Sequence, residues 1–153
     1  MTDTDYMKIA LKEAQKAFEI DEVPIGAVIV DPTTQKIIAK AHNKTEFGQD
    51  ITAHAEILAL RKACRKLKAK RLWNLDLYVT LEPCTMCAAA ISFARIKNLY
   101  FGAYDEKGGA VTNGVKFYEQ KTCHHKPNVI GGILENECSQ ILKDFFKNKR
   151  NKN

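Results

Sequence analysis

Apolar positions along this chain alternate between helical spacing and short continuous runs, and the alternation marks out the elements. Asp3 or Thr4 caps a first helix, in which Met7, Leu11, Ala14 and Phe18 share a face that should pack on a sheet. Ile25 to Val30 is a β-branched run. A turn at Asp31-Pro32 and a second run, Lys36 to Ala41, make a hairpin with Asn43 just past its end. Phe47 to Thr52 reads as a loop leading into a helix that begins near His54 and carries Ile57, Leu60, Cys64 and Leu67 on one side. Leu75 to Leu81 is a buried strand that delivers Glu82 and Pro83 to another helix, continuing through Ala88, Ile91 and Ala94. Ile96 to Gly102 is the next strand. After Gly108-Gly109 the chain is irregular to about Pro127, then offers a short strand near Val129 and a last helix from about Glu135 to Lys149. Strands alternating with helices predict a mostly parallel, helix-covered sheet with its site at the carboxyl ends of strands.

At 153 residues the chain is expected to form a single domain, 1–153, with a core that needs no disulfide staples. The five cysteines show no framework spacing beyond one pair, so Cys64, Cys123 and Cys138 are expected as free thiols. No leader-like start and no apolar run of membrane-spanning length is present, which points to a cytoplasmic protein without a membrane partner. The net charge of +6 suggests a polyanionic partner. Arg61 to Arg71 holds seven basic residues and no acid, and Lys143 to Lys152 adds five more. A solvated helix face accounts for the first run as readily as phosphate contact does.

The chemistry concentrates in Leu81 to Cys87 and in His54-Ala55-Glu56. Cys84 and Cys87, three apart, share one face of a helical first turn opened by Pro83, within reach of one ion. With His54 they form a three-ligand set, and a fourth tetrahedral position left open distinguishes a catalytic zinc site from a structural one. Residues two apart on a helix point about 200° from each other. His54 and Glu56 therefore converge on one ion only if it lies off the end of their helix, so two helix N-termini should face the site. Taken singly, the motifs have plainer readings: a redox Cys pair, a core histidine, an acid stabilising a helix start. Cys123-His124-His125 is a poor second metal site, because adjacent residues rarely converge on one ion, and His42 reads as a strand-end residue.

His54-Ala55-Glu56 followed by Pro83-Cys84-Thr85-Met86-Cys87 resembles the H-x-E and P-C-x-x-C signature of zinc-dependent nucleobase deaminases. Within that group the chain resembles the bacterial tRNA-specific adenosine deaminases over nearly its whole length. Pro24 to Val28, Ala53 to Leu60, Leu77 to Met86, Phe101 to Asp105 and Asp144-Phe145-Phe146 carry the match. The resemblance implies a three-layer α/β/α cytidine-deaminase-like fold with a mixed five-stranded sheet, one zinc ion per chain, and a homodimer acting on a tRNA anticodon stem-loop. It implies that His54, Cys84 and Cys87 hold the zinc and that Glu56 moves the protons. Asn43 would contact the base and Asp105 the RNA backbone; Phe145-Phe146 match a family pair in the last helix, with Phe146 the expected substrate contact and helix packing at least as ready a reading for either. The backbone amides at Ala55 and Cys84, both at helix starts, are candidate donors to the reacting group. An Asn-His pair that grips the anticodon loop in the family stands here as His124-His125, inside a divergent segment from Val111 to Lys126; Lys44, Ile51 and Ala89 also depart from the pattern.

The signature specifies reaction class and leaves substrate open among RNA adenosine and free guanine, cytosine or a nucleoside. A zinc-stabilised RNA-binding module without catalysis is a third reading. Glu56 argues against it, since a structural site has no use for a carboxylate beside an open position.

Overall fold

The computed structural model describes residues 1–151; positions 152 and 153, the end of the basic tail, lie outside the described residues. Thr2, one position before the expected cap, starts the first helix, α1 (Asp3–Glu19), in a reciprocal capping box with Asp5. The buried stripe of α1 is Tyr6, Met7, Ala10, Glu13, Ala14 and Ala17, a face rotated from the expected one. Small residues explain the rotation. Ala10 and Ala14 sit against Gly26 so closely that a Cβ there would meet Ala10 O at 1.9 Å and Ala14 N at 2.6 Å. The bulkier Phe18 is displaced to the flank, where its ring meets Phe145 edge-on at 5.9 Å.

The hairpin forms as β1 (Gly26–Asp31) and β2 (Lys36–His42), with a register irregularity at Ile29/Val30. Next come α2 (Ala55–Leu67), β3 (Asp76–Leu81), α3 (Thr85–Phe93) and β4 (Asn98–Ala103). The irregular stretch contains one 3₁₀ turn, Phe117–Glu119, before β5 (Asn128–Ile130) and α4 (Glu135–Asn151). The sheet order is β2-β1-β3-β4-β5. β1 is antiparallel to both β2 and β3, whereas β3–β4 and β4–β5 are parallel. The sheet is therefore mixed, not mostly parallel, because the hairpin turns β1 against the β3–β4–β5 crossovers.

Two apolar clusters lie on opposite faces. One joins α2 and α3 to the sheet through Ala59, Ala63, Ala88, Ile91 and Phe101; the other joins α1 and α4 through Met7, Ala10, Val28, Tyr78 and Cys138. This is the three-layer arrangement, and β3, covered on both faces, is buried from Asp76 to Thr80. The mixed topology brings the carboxyl ends of β2, β3 and β4 to one edge, together with the start of β1. Asn43, Ile25, Glu82 and Tyr104 all emerge there.

Candidate active site

His54 and Cys84 are the N-caps of α2 and α3, each with extended backbone (φ −72°, ψ 151° and φ −72°, ψ 176°). Neither side chain caps its own helix, so both are free to turn toward the space between the helix ends. Cys87 lies one turn into α3 on the same side. His54 Nδ1 is 3.6 Å from Cys84 Sγ and 3.5 Å from Cys87 Sγ, and the three ligand atoms lie within 4.8 Å of one another. A tetrahedral ion with bonds of about 2.3 Å to sulfur and 2.0–2.1 Å to nitrogen separates its N and S ligands by about 3.6 Å. The observed spacing fits that ion. Among the described residues this is the one group of three such side chains, and Cys123, His124 and His125 form no second one.

Glu56 is 4% exposed. Burial pushes its carboxyl up to about 7, and the neighbouring Cys84 sulfur pushes the same way, against the pull of His54 and Cys87. The two thiols divide unequally. A hydrogen bond from Cys87 draws Cys84 down to about 4, while the same bond and burial hold the Cys87 thiol far above its ordinary value. The bond to Cys84 raises His54. Sulfur and carboxylate charge thus gather where two helix N-termini point, and a divalent cation suits that donor set.

Asn43, 5% exposed, accepts the Ala55 N–H on Oδ1 at 2.7 Å and so ties β2 to the start of α2. Its Nδ2 makes no hydrogen bond among the described residues. The Ala55 amide, expected to face the reacting group, is already committed to Asn43. Asp105 is committed as well: Oδ1 accepts the Lys107 and Gly108 amides at 3.2 and 2.9 Å and shapes a turn at the site edge. Phe145 is core, and Phe146 on α4 is 45% exposed.

His124 does not join the site. Its neighbour His125 donates from Nε2 to Ile96 O at 2.7 Å, receives the Ser92 hydroxyl on its carbonyl, and meets the Trp73 ring edge-on. Ile96 and Trp73 precede β4 and β3, whereas His54 follows β2 and Cys84 and Cys87 follow β3. The pair therefore sits at the opposite end of the sheet from His54, Cys84 and Cys87 of its own chain. The irregular segment returns to the amino-terminal strand ends in order to start β5 parallel to β4.

Sequence reasoning passed over Glu82, which is 2% exposed. Its Oε1 accepts the Asp105 N–H and Asn113 Nδ2 at 3.0 and 2.8 Å, and its Oε2 accepts the Val111, Thr112 and Asn113 amides at 3.1, 2.9 and 3.0 Å. Burial works to raise this carboxyl, but the donors overrule it and hold it below the ordinary range. Glu82 thereby moors the 105–113 loop beside Cys84. A Cβ at Gly109 would meet the Glu82 carboxyl at 2.5 Å, so only glycine admits the arrangement. An acid between a buried strand and Pro83 was the available signal.

The basic run is not merely a solvated face. Arg61, Arg65, Lys70 and Arg71 rim an open groove of about 560 Å³ between α2 and α3, floored by Ile57, Leu60, Cys64, Ala90 and Ala94 and flanked by Phe93, which is 67% exposed.

A mixed five-stranded sheet with a His-Cys-Cys set at two helix starts and a buried glutamate beside it defines a deaminase of the cytidine-deaminase-like fold. A family profile described as MafB19-like deaminase matches residues 1–150. The tRNA-specific adenosine deaminase of Agrobacterium fabrum is 57% identical over 147 residues, 96% of this chain and 95% of that one. A structure solved in work on A-to-I editing by tRNA:A34 deaminases at the wobble position of transfer RNA is 57% identical, with TM-score 0.88 over 91% of this chain and 99% of its own. The guanine deaminase of Nitrosomonas europaea, at 21% identity and TM-score 0.83 over 94% of this chain and 84% of its own, shares the fold. The chain belongs to the tRNA-specific adenosine deaminase family.

Proposed function

We propose that this protein is a zinc-dependent hydrolase that converts the wobble adenosine of a tRNA anticodon to inosine. The observation that carries the reading is the convergence of His54, Cys84, Cys87 and buried Glu56 in a chain of that family. Two sulfurs and an imidazole nitrogen favour zinc, and His54, Cys84 and Cys87 would hold it. A zinc ion held there lowers the pKa of water toward about 7 and so supplies a nucleophile at neutral pH.

The chain's own groups do the rest. The Glu56 carboxylate takes a proton from the attacking water and delivers it to N1 of the adenine ring. It then takes the proton of the new C6 hydroxyl and carries it to the exocyclic amine. The C6–N bond breaks, ammonia leaves, and C6 keeps the oxygen. Burial that holds Glu56 near 7 suits a group that must both take and give a proton at neutral pH. Asn43 Nδ2, free to donate, contacts the purine, and its Oδ1 fixes the helix start from which Glu56 acts. Asp105 shapes the rim through its turn, and the exposed Phe146 ring of α4 is a further contact for the RNA in this reading.

The groove between α2 and α3 supports a homodimer: apolar floor, exposed Phe93 and an arginine rim are the composition of a buried interface. Light scattering should give twice the 17.3 kDa chain mass, and a single-chain mass contradicts the dimer. The reading places the protein in the cytoplasm, where a reducing poise keeps Cys84 and Cys87 available as ligands. Among the described residues no helix is long and apolar enough to cross a membrane.

The test is a rate comparison between an anticodon stem-loop bearing wobble adenosine and free adenosine, guanine and cytosine. Inosine from the stem-loop, with the small substrates turned over at least about a hundredfold more slowly, is the expected result. Turnover of a free base with the stem-loop untouched replaces the substrate and leaves the proton chemistry of Glu56 standing.

A further inference from the structure

The loop 44–53 between β2 and α2 leaves and rejoins the fold beside the site. Asn43 precedes it, His54 follows it, and the Lys44 N–H closes it onto Ala53 O at 3.0 Å. Its interior is tied by the Gly48, Asp50 and Ala53 amides to Lys44 O, Thr45 O and Asp50 O at 2.9, 3.0 and 3.1 Å. Thr52 adds its N–H and hydroxyl to Asp50 Oδ1 at 2.9 and 2.7 Å. The Glu22 carboxylate, 1% exposed, accepts the amides of Glu46 and Phe47 at 3.1 and 2.5 Å. A buried carboxylate is tolerable only when hydrogen-bonded, so acid and loop hold each other in one shape.

This rigid loop presents two large apolar side chains to solvent. Phe47 is 79% exposed and Ile51 88%, the highest values among the large hydrophobic side chains described. No described residue covers them. An apolar ring fixed at its own backbone amide and placed four residues from the base-contacting Asn43 is suited to a flat, partly apolar ligand at the mouth of the site.

We infer that Phe47 is a stacking platform for the nucleotide base adjacent to the target adenosine, making it a positioning residue for RNA substrates. The inference rests on the RNA reading above. A base drawn into a deaminase pocket leaves its neighbours unstacked, and an aromatic face recovers that stacking whatever the neighbour's identity. Glu22 contributes by holding the Phe47 amide. Arg61 on the groove rim reaches Asp50 of this loop at 3.9 Å, so the competing occupant is the second copy of the chain.

The experiment uses the metal-loaded protein and a stem-loop carrying 2-aminopurine next to the wobble adenosine. Phe47→Ala should raise KM for the stem-loop about tenfold with kcat nearly unchanged, the mark of lost binding common to ground and transition state. Quenching of 2-aminopurine on binding should disappear with it. Phe47→Trp should restore both, and Phe47→Leu, apolar but without a ring, should restore neither. Unchanged KM and quenching in Phe47→Ala overturn the inference, as does a change in light-scattering mass, which would assign Phe47 to the second copy. A wild-type protein that makes no inosine from the stem-loop is a separate failure, of the RNA reading. The quenching comparison still decides whether Phe47 stacks on bound RNA.

Discussion

Replacing Glu56 with glutamine is expected to lower deamination by at least about a thousandfold, within the upper range of general acid–base contributions. Metal content should stay at that of the parent, and the melting temperature should not fall. Glutamine keeps the size of the side chain but neither takes the proton from water nor returns one to the ring. Metal retention follows from the ligand set, because the 3.5 and 3.6 Å contacts run among His54, Cys84 and Cys87 without Glu56. Stability is preserved because Glu56 is a carboxyl held up to about 7 by burial, so its ionised form is not an asset to the fold at neutral pH. Metal analysis, steady-state rates and thermal melting on one preparation check all three statements. Loss of metal in the variant would make Glu56 a ligand and overturn its role as proton carrier.

Glu82→Gln carries the second large effect, and it is an effect on stability. The carboxylate accepts donors from Asp105, Val111, Thr112 and Asn113, the last through both its backbone and its side chain. Glutamine offers one acceptor oxygen and turns an NH₂ group against amides that have nowhere else to donate. Buried donors left unsatisfied cost about 1–3 kcal/mol each before relaxation, so a net loss of about 3 kcal/mol is expected. In a chain of this length that lowers the melting temperature by roughly 6–12 °C. Hydrogen exchange is the sharper readout: the Val111, Thr112 and Asn113 amides should lose protection while amides of β1 and β3 keep theirs. Unchanged protection at those positions would show that Glu82 does not moor the loop.

The two acids mark the boundary of what could be read along the chain. The His-Cys-Cys group was legible because its information is local. A spacing of three, a proline before it and a histidine two residues from a glutamate require convergence off helix ends, and the structure has that convergence. Glu82 and Glu22 were not legible, because their partners are backbone amides of loops 23 to 31 residues away in sequence. An amide has no side-chain identity to announce the contact. Strand and helix positions followed from hydrophobic spacing. The orientation of α1 did not, since the deciding contact is Ala10 and Ala14 against Gly26, a fit of small residues that apolar periodicity underrates. The distance of His124 from the His-Cys-Cys group of its own chain was not legible for a different reason. Its position was carried over from a resemblance that weakens in the irregular segment, and the path of that segment is set by β5 pairing with β4.

The most direct measurement is nucleotide-resolution mapping of inosine in a full tRNA transcript after incubation with the zinc-loaded protein. A single conversion at the wobble adenosine, with every other adenosine of the anticodon loop unchanged and no conversion by Glu56→Gln, is the predicted result. Conversion scattered over several adenosines, or conversion that survives in Glu56→Gln, would contradict the account.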